Sequence, residues 1–481
     1  MSNEPSIPES SPVLRRHNST RTPAKVAIIG GGLAGLAAGA ALAESGIQVT
    51  VFERRPYLGG RASSYEHPGT GEIVDNCQHV LLGCCTNLIA FYDRLGVQDK
   101  IRWYDRLTFL EPCSRASSLR PARLPAPFHM TPAFLRAACL GNADKFAIAF
   151  AMMMLAPKMP RDNGSSFLSW LRAHHQTERA IDRFWKTVLV SALNEDLDRM
   201  SIPYAAQVIR ESFLKSAVAG RIGIPVVPLT ELYGVAGEYI QARGGEVRVR
   251  TGVENLRPQS EGVTLSAGGE EMLFDFVIPA VTFDVLSKIL PQTSDAEPLR
   301  KALAKFETSP ITGIHLWFDR LITDLDHAVL LDRTIQWMFH KSKLLGKSAD
   351  NTGSYIELVV SASRSLVNKS RAEITDLAVT ELREFFPQAR DAKLVKSTVI
   401  KEVHATYSPL PGADKYRPNS KTVWPRVFLA GDWTATGWPA TMEGAVRSGY
   451  AAAEGVIRAI GSHSRFFVAD RPSTGLMKLF G

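Results

Sequence analysis

The sequence predicts an α/β fold: a Rossmann-type domain that is discontinuous in sequence, with an α+β substrate domain threaded between its parts. Three observations carry this expectation. A strand, glycine turn, helix and strand follow one another near the N-terminus, alternating strand and helix patterns return after residue 225, and an apolar strand running into a helix closes the chain.

The first unit reads as a strand at Lys25 to Ile29, a turn at Gly30 to Gly32, a helix from Leu33 to Ser45 and a strand from Val49 to Glu53. A helix starts near Thr86, and Ile101 to Gly223 shows helical periodicity broken by prolines. From Pro228 come a helix to about Arg243, a strand at Glu246 to Arg250, a hairpin-like stretch around Val263 to Leu265 and a strand at Phe274 to Ile278. Strands at Ile311 to Phe318, Tyr355 to Val360 and Leu394 to Val403, with a helix at Ala372 to Phe385, form a further block. A strand at Val427 to Ala430 and a helix from Thr441 to about Ile460 finish the pattern. The nucleotide-binding domain is therefore expected from residues 25–100, 225–290 and 420–462, and the substrate domain from 101–224 and 291–419. Residues 1–24, rich in Ser, Pro and Arg without an apolar run, read as a disordered tail, and 463–481 as a C-terminal tail.

With 481 residues, the chain has room for two or three domains of roughly 150 residues each. Its 56 basic and 48 acidic residues leave a net charge of +8, but no zinc-finger spacing or aromatic-basic signature points to nucleic acid. The five cysteines (Cys77, Cys84, Cys85, Cys113 and Cys139) contain no CxxC pair, which argues for reduced thiols in the cytoplasm and against a disulfide framework or a metal site. No apolar run reaches the ~18 residues of a membrane span. The longest, Phe146 to Ala156, reads either as a core helix or as a helix that docks on a membrane or lines a substrate path.

Gly30-Gly31-Gly32-Leu33-Ala34-Gly35 fits GxGxxG between a strand and a helix. Gly30 serves the tight turn, Gly32 lets backbone approach a pyrophosphate, and Gly35 lets helix and strand pack closely. The helix opening at Leu33 and Ala34 offers unpaired N–H groups and a favourable dipole to phosphate. Glu53, ending the second strand, is placed to accept from a ribose diol. This much suits NAD and FAD equally.

Leu58-Gly59-Gly60-Arg61-Ala62 resembles the GGR motif of glutathione-reductase-like flavoproteins in the amine oxidase and carotenoid desaturase superfamily. The resemblance implies FAD, with Gly59 and Gly60 bringing backbone to the cofactor and Arg61 pairing with its phosphate and ribityl region. Ala430-Gly431-Asp432 resembles the second flavin motif, whose acid contacts the ribityl or phosphate part. Met442 and Glu443 then open a helix whose N-terminus would face flavin N1 and the C2 carbonyl. No cysteine lies near this segment, so the FAD is expected to be non-covalent. The resemblance also places Val253 at the adenine, where a buried strand valine is the alternative.

Three segments, Asp75 to Cys84, His315 to Arg320 and GDWTATGWPATMEGAVRSG at Gly431 to Gly449, are similar to the hydroxysqualene dehydroxylases, squalene-associated FAD-dependent desaturase-like enzymes of hopanoid biosynthesis. The similarity spans about Lys25 to Gly481, and Cys77 departs from the glycine expected there. It implies removal of the hydroxyl from an apolar triterpene alcohol by reduced FAD, itself reduced by an electron donor that the sequence does not identify. Acid-assisted loss of water and an apolar, dry tunnel are the protein's part. His79 is the candidate acid because His titrates near neutrality, with an order-keeping role in the flavin loop as its alternative, while Asp75 reads as a loop-organising carboxylate. Gln78, Gln336 and Trp337 are expected to face the substrate cavity, and Trp438 with Pro439 to wall the flavin ring.

Rival readings on the same fold are an amine oxidase and a polyprenoid desaturase. The strand Pro310 to Phe318 lacks the lysine that many amine oxidases place beside flavin N5, and GWPATMEGA is closer to the desaturase ending. A non-catalytic flavin scaffold is the rival of another class. An insoluble substrate suggests a peripheral site on the inner face of the cytoplasmic membrane, with Phe146 to Ala156 and Ser464 to Gly481 as contacts to anionic lipid.

Overall fold

The structure, a computed structural model, describes residues 24–346 and 353–480. The tail expected over residues 1–24 therefore lies outside the described residues except for Ala24.

A parallel sheet holds the N-terminal motif, in the order Glu246–Arg248, Gln48–Phe52, Lys25–Ile29, Phe276–Pro279. Parallel strands covered on both faces read as continuous apolar runs, as VAII does here. The last apolar run extends this sheet, with Phe428 N–H donating to Val277 O (3.0 Å) and Ala430 N–H to Pro279 O (3.1 Å). Helices Leu33–Glu44, Leu229–Gln241 and Met442–Ala459 share one core cluster beside the sheet. Gly449 makes their close crossing feasible, since a Cβ there would stand 2.2 Å from the Ala34 carbonyl oxygen. An antiparallel meander of Val253–Pro258, Val263–Ala267 and Glu270–Phe274 packs with a second core cluster that includes Ala27 and Ile29. The strand read from Phe274 to Ile278 is thus two strands. Asp275 divides them, its backbone N–H donating to Lys25 O and its carboxylate accepting from Lys25 N–H at 2.7 Å.

Both remaining segments enter one seven-stranded sheet, ordered Leu394–Tyr407, Thr308–Phe318, Ser354–Ser361, Trp337–His340, His327–Leu330, Leu107–Leu110, Ala116–Leu119. Helix Arg371–Phe385, opened by a reciprocal Ser370/Glu373 capping box, contributes to the core with this sheet. Strands Leu107–Leu110 and Ala116–Leu119 interrupt the region expected to be helical. Four-residue strands carry little periodicity, and the first gains its register from the distant strand His327–Leu330. Ile101–Tyr104 and Ile222–Pro225 pair with each other, and Leu81–Leu82 adds to the latter, so a small sheet straddles both expected boundaries near residues 100 and 225.

Candidate active site

At the N-terminal motif, Gly30 adopts φ +109° and donates its N–H to Phe52 O at 2.8 Å, so the turn is tied to the end of the second strand. Glu53 is buried and accepts from Gly31 N–H and Arg55 N–H, both at 2.8 Å, which fixes its carboxylate beside the glycine turn. Gly35 is needed for packing, because a Cβ there would lie 2.0 Å from Gly30 O. Gly32 differs: the nearest atom to its virtual Cβ is Gly60 Cα at 3.9 Å, leaving a cradle that a side chain would fill. Gly32 is also the N-cap of the helix opening at Leu33 and Ala34, and has no side chain to cap it. Open space and unpaired N–H groups together suit a pyrophosphate.

The other two motifs meet at this cleft. Gly59 N–H donates to Gly31 O at 2.8 Å, and Gly59 and Gly60 hold φ of +106° and +62°. Arg61 donates to Asp432, 2.9 Å away, and to Ala405 O at 2.7 Å. The ion pair therefore fastens the GGR segment to the C-terminal motif, whose Gly431 N–H is held by Ser448 Oγ at 2.8 Å. Val253 is partly buried at the start of the meander. Met442 opens the closing helix, with its sulfur 3.4 Å from the Tyr233 hydroxyl, and Thr441 caps Gly444 N–H.

Glu443 departs from its expected place at the cofactor. Its carboxylate is fully buried and accepts from Leu88 N–H (2.8 Å), Asn87 N–H (3.1 Å), Asn87 Nδ2 (3.0 Å) and Arg447 Nε (2.7 Å). It caps the helix Thr86–Leu95, which has no cap of its own. The i,i+4 spacing of Glu443 and Arg447 signals only their own ion pair, not the capping of a distant helix.

A cavity lies in the substrate domain, lined chiefly by apolar side chains that include Leu107, Phe109, Val208, Phe213, Trp337 and Phe339. Two π-helical turns, Ile181–Lys186 and Arg210–Leu214, flank it. Cys77 and Gln78 are among its lining residues. Of the expected lining residues, Gln78 and Trp337 are present, and Trp337 Nε1 donates to Ser191 Oγ at 2.7 Å. Gln336 is not, because neighbouring residues of an extended chain point to opposite faces and its amide closes on the backbone of Ser361 (3.1 and 2.9 Å). Trp438 and Pro439 also lie away from this cavity: the Arg447 guanidinium stacks on the indole at 4.5 Å, and the Pro439 carbonyl packs against Gly444.

Beneath Gln78 sits a polar cluster that the sequence reading missed. Lys341, 1% exposed, donates to Asp75 Oδ2 (2.6 Å) and Gln78 Oε1 (2.8 Å) and stands 3.6 Å from Glu357. Asp75 also accepts from Ser64 Oγ at 2.6 Å and Leu229 N–H at 3.3 Å. Burial alone would raise its pKa, but Lys341 and these hydrogen bonds hold it below the ordinary carboxylate value. For Glu357 burial wins, with Asp75 adding repulsion against the pull of Lys341, and the pKa is pushed up to about 8. His315, opposite Glu357 in the paired strand, is pulled down to about 3 by burial and adds no charge. Burial drives the Cys77 thiol well up, so Cys77 presents no reactive thiolate to the cavity. The lone acid in the apolar strand YIELVV was the visible sign of this cluster.

His79 does not fit the acid role expected of it. Its Nδ1 is 2.7 Å from Cys77 O, and burial lowers its pKa, so the ring is neutral near pH 7 and holds no imidazolium proton to give. It orders the loop. Glu357 is the protonated group at neutrality, on the same strand face as the cavity residues Val359 and Ser361.

This sets a pH dependence. A carboxyl whose folded pKa lies near 8 binds a proton that the unfolded chain releases near ~4.5, so stability falls as pH rises through that window. Lys341, Asp75, Cys77, His315 and Tyr355 surround Glu357 and stay unchanged in Glu357→Gln. The variant is expected to flatten the loss of stability between about pH 5 and 8, measured by urea midpoints. An unaltered slope would mean that Glu357 ionises normally.

A turn, a carboxylate and two further glycine motifs converging on one phosphate cradle, in a chain that also holds a largely apolar cavity, define a flavoprotein oxidoreductase. The chain belongs to the flavin containing amine oxidoreductase family, which matches residues 33–457, and its cofactor is FAD. It is 28% identical over 480 residues to the 15-cis-phytoene desaturase of Synechococcus elongatus, covering 90% of this chain and 96% of that protein. Among solved structures, an oxidoreductase from Methanosarcina mazei superposes with a TM-score of 0.70 at 17% identity, covering 88% of this chain and 98% of the other. Putrescine oxidase superposes at 0.69 and 16% identity, covering 91% and 99%. These likenesses establish the fold.

Proposed function

We propose that the chain is an FAD-dependent oxidoreductase that exchanges hydride at an allylic carbon of a long polyprenoid. The observation that carries this reading is the cavity: lined mainly by apolar side chains, it offers a hydrocarbon chain walls to pack against and includes one side-chain amide, Gln78. A small amine finds little there. The one carboxylate lining the cavity among the described residues, Asp105, is paired with Arg221 at 2.6 Å, and Lys341 is committed to Asp75 and Gln78.

The likeness to a phytoene desaturase supports desaturation, in which the substrate would lose a proton to solvent and a hydride, for which oxidised FAD would be the acceptor when bound. A second reading is favoured by Gln78, which lines the cavity and is held by Lys341. A pure hydrocarbon has no use for an anchored amide, whereas the hydroxyl of hydroxysqualene does. In that reading Gln78, held by Lys341, orients the hydroxyl, and the protonated Glu357 behind the loop feeds a proton toward it. The allylic C–O bond breaks, oxygen departs with the proton as water, and a C–H bond forms from hydride. Reduced FAD supplies that hydride when bound.

The two readings need opposite flavin states. Under anaerobic conditions, oxidised holoenzyme that bleaches with phytoene is a desaturase, and reduced holoenzyme that reoxidises with hydroxysqualene to yield squalene is a dehydroxylase. A flavin spectrum unchanged by both substrates overturns the polyprenoid reading.

A further inference from the structure

Three segments that are distant in sequence expose large apolar side chains on one side of the substrate domain. Helix Asn142–Leu155 is two-faced: Ile148, Ala151 and Leu155 enter the core, while Phe146 (78% exposed), Phe150, Met153 (66%) and Met154 form an outward stripe at helical spacing. Residues 124–135 add Leu124, Phe128 and Leu135, and the closing turn Gly475–Leu479 adds Leu476 and Leu479 (77%), followed by Phe480. Hydrogen bonds stitch them together. Leu476 N–H donates to Ala126 O at 2.9 Å, Lys145 Nζ donates to Leu135 O at 2.7 Å, and Arg210 donates to Leu155 O at 2.9 Å and to Phe480 O at 3.5 Å. Met477 is fully buried and pins the turn in place. A monomer rarely leaves so many large apolar groups contiguous.

Charge says what covers the face. Segments 119–136, 145–161 and 471–480 contain no Asp or Glu, yet carry Arg120, Arg123, Arg136, Lys145, Lys158, Arg161, Arg471 and Lys478. No helix among the described residues is long and apolar enough to cross a membrane. Pro121, His129 and Met130, from the segment that turns Leu124 and Phe128 outward, line the cavity on its other side. We propose that this face docks on an anionic bilayer, apolar groups entering the interface and the cations meeting lipid phosphate, so that the cavity draws its substrate from the lipid. The docking stands on the surface itself, while the uptake of substrate from lipid rests on the polyprenoid reading above, whichever way the reaction runs.

Holo-protein should sediment with vesicles of phosphatidylcholine containing phosphatidylglycerol, and at least about tenfold more weakly with phosphatidylcholine alone or in high salt. Phe146→Ser with Leu479→Ser should lose about tenfold in vesicle binding, with flavin content and monomer fold unchanged because both side chains are exposed. Protein remaining in the supernatant beside anionic vesicles at low salt would overturn the proposal, as would equal binding by the double variant. Sedimentation equilibrium showing a dimer that the double variant breaks would overturn it in favour of a second copy of the chain.

Discussion

Gly32→Glu is expected to yield folded protein almost without flavin, with occupancy at limiting FAD reduced by more than about tenfold, a shift of over ~1.4 kcal/mol in binding. The chain tolerates a side chain there: no atom other than Gly60 Cα lies within 4 Å of the virtual Cβ, and Gly32 is the extended N-cap at φ −80°. The cradle does not, since a carboxylate would occupy the phosphate position and repel the pyrophosphate. Gly35→Ala makes the contrast, because its methyl would collide with Gly30 O and disrupt the strand–helix packing itself. Visible flavin absorbance per polypeptide, read beside circular dichroism, separates the two. Full occupancy in a folded Gly32→Glu protein would remove the phosphate cradle from this position.

Lys341→Met is expected to cost about 3–5 kcal/mol at neutral pH, the usual penalty for leaving a buried charge without its partner. Asp75 would keep Ser64 and Leu229 but lose the ammonium that holds its pKa down. The sign of the pH dependence should invert. With Lys341 present, the depressed pKa of Asp75 contributes stability above its unfolded value of about 4, lost as acid protonates it. Without Lys341, burial raises that pKa, and lowering the pH should restore stability by neutralising the carboxyl. Adding Asp75→Asn should recover most of the loss, which urea midpoints in a double-mutant cycle would measure. A single-variant loss below ~1 kcal/mol would mean that the pair behaves as a solvated one.

The sequence by itself determined the elements whose causes are local. The glycine turn, its helix and the strand ending at Glu53 were legible because backbone freedom at Gly30 and close packing at Gly35 act within a few residues. The same holds for the closing helix, whereas the GGR and Gly431-Asp432 segments, and the expectation of Gln78 and Trp337 at the cavity, were reached through resemblance to a family and not through local causes. Tertiary structure alone decided which charge meets which. Glu443 caps a helix more than 350 residues earlier in the chain, and Lys341 reaches Asp75 across 266 residues. Burial then set the protonation states, leaving His79 neutral and Glu357 protonated, because the cost of burying a charge depends on what packs around it and not on neighbours in sequence. The helix Asn142–Leu155 shows the division within one element: its composition announced an apolar helix, and only the fold decided that half of it faces the core and half faces outward.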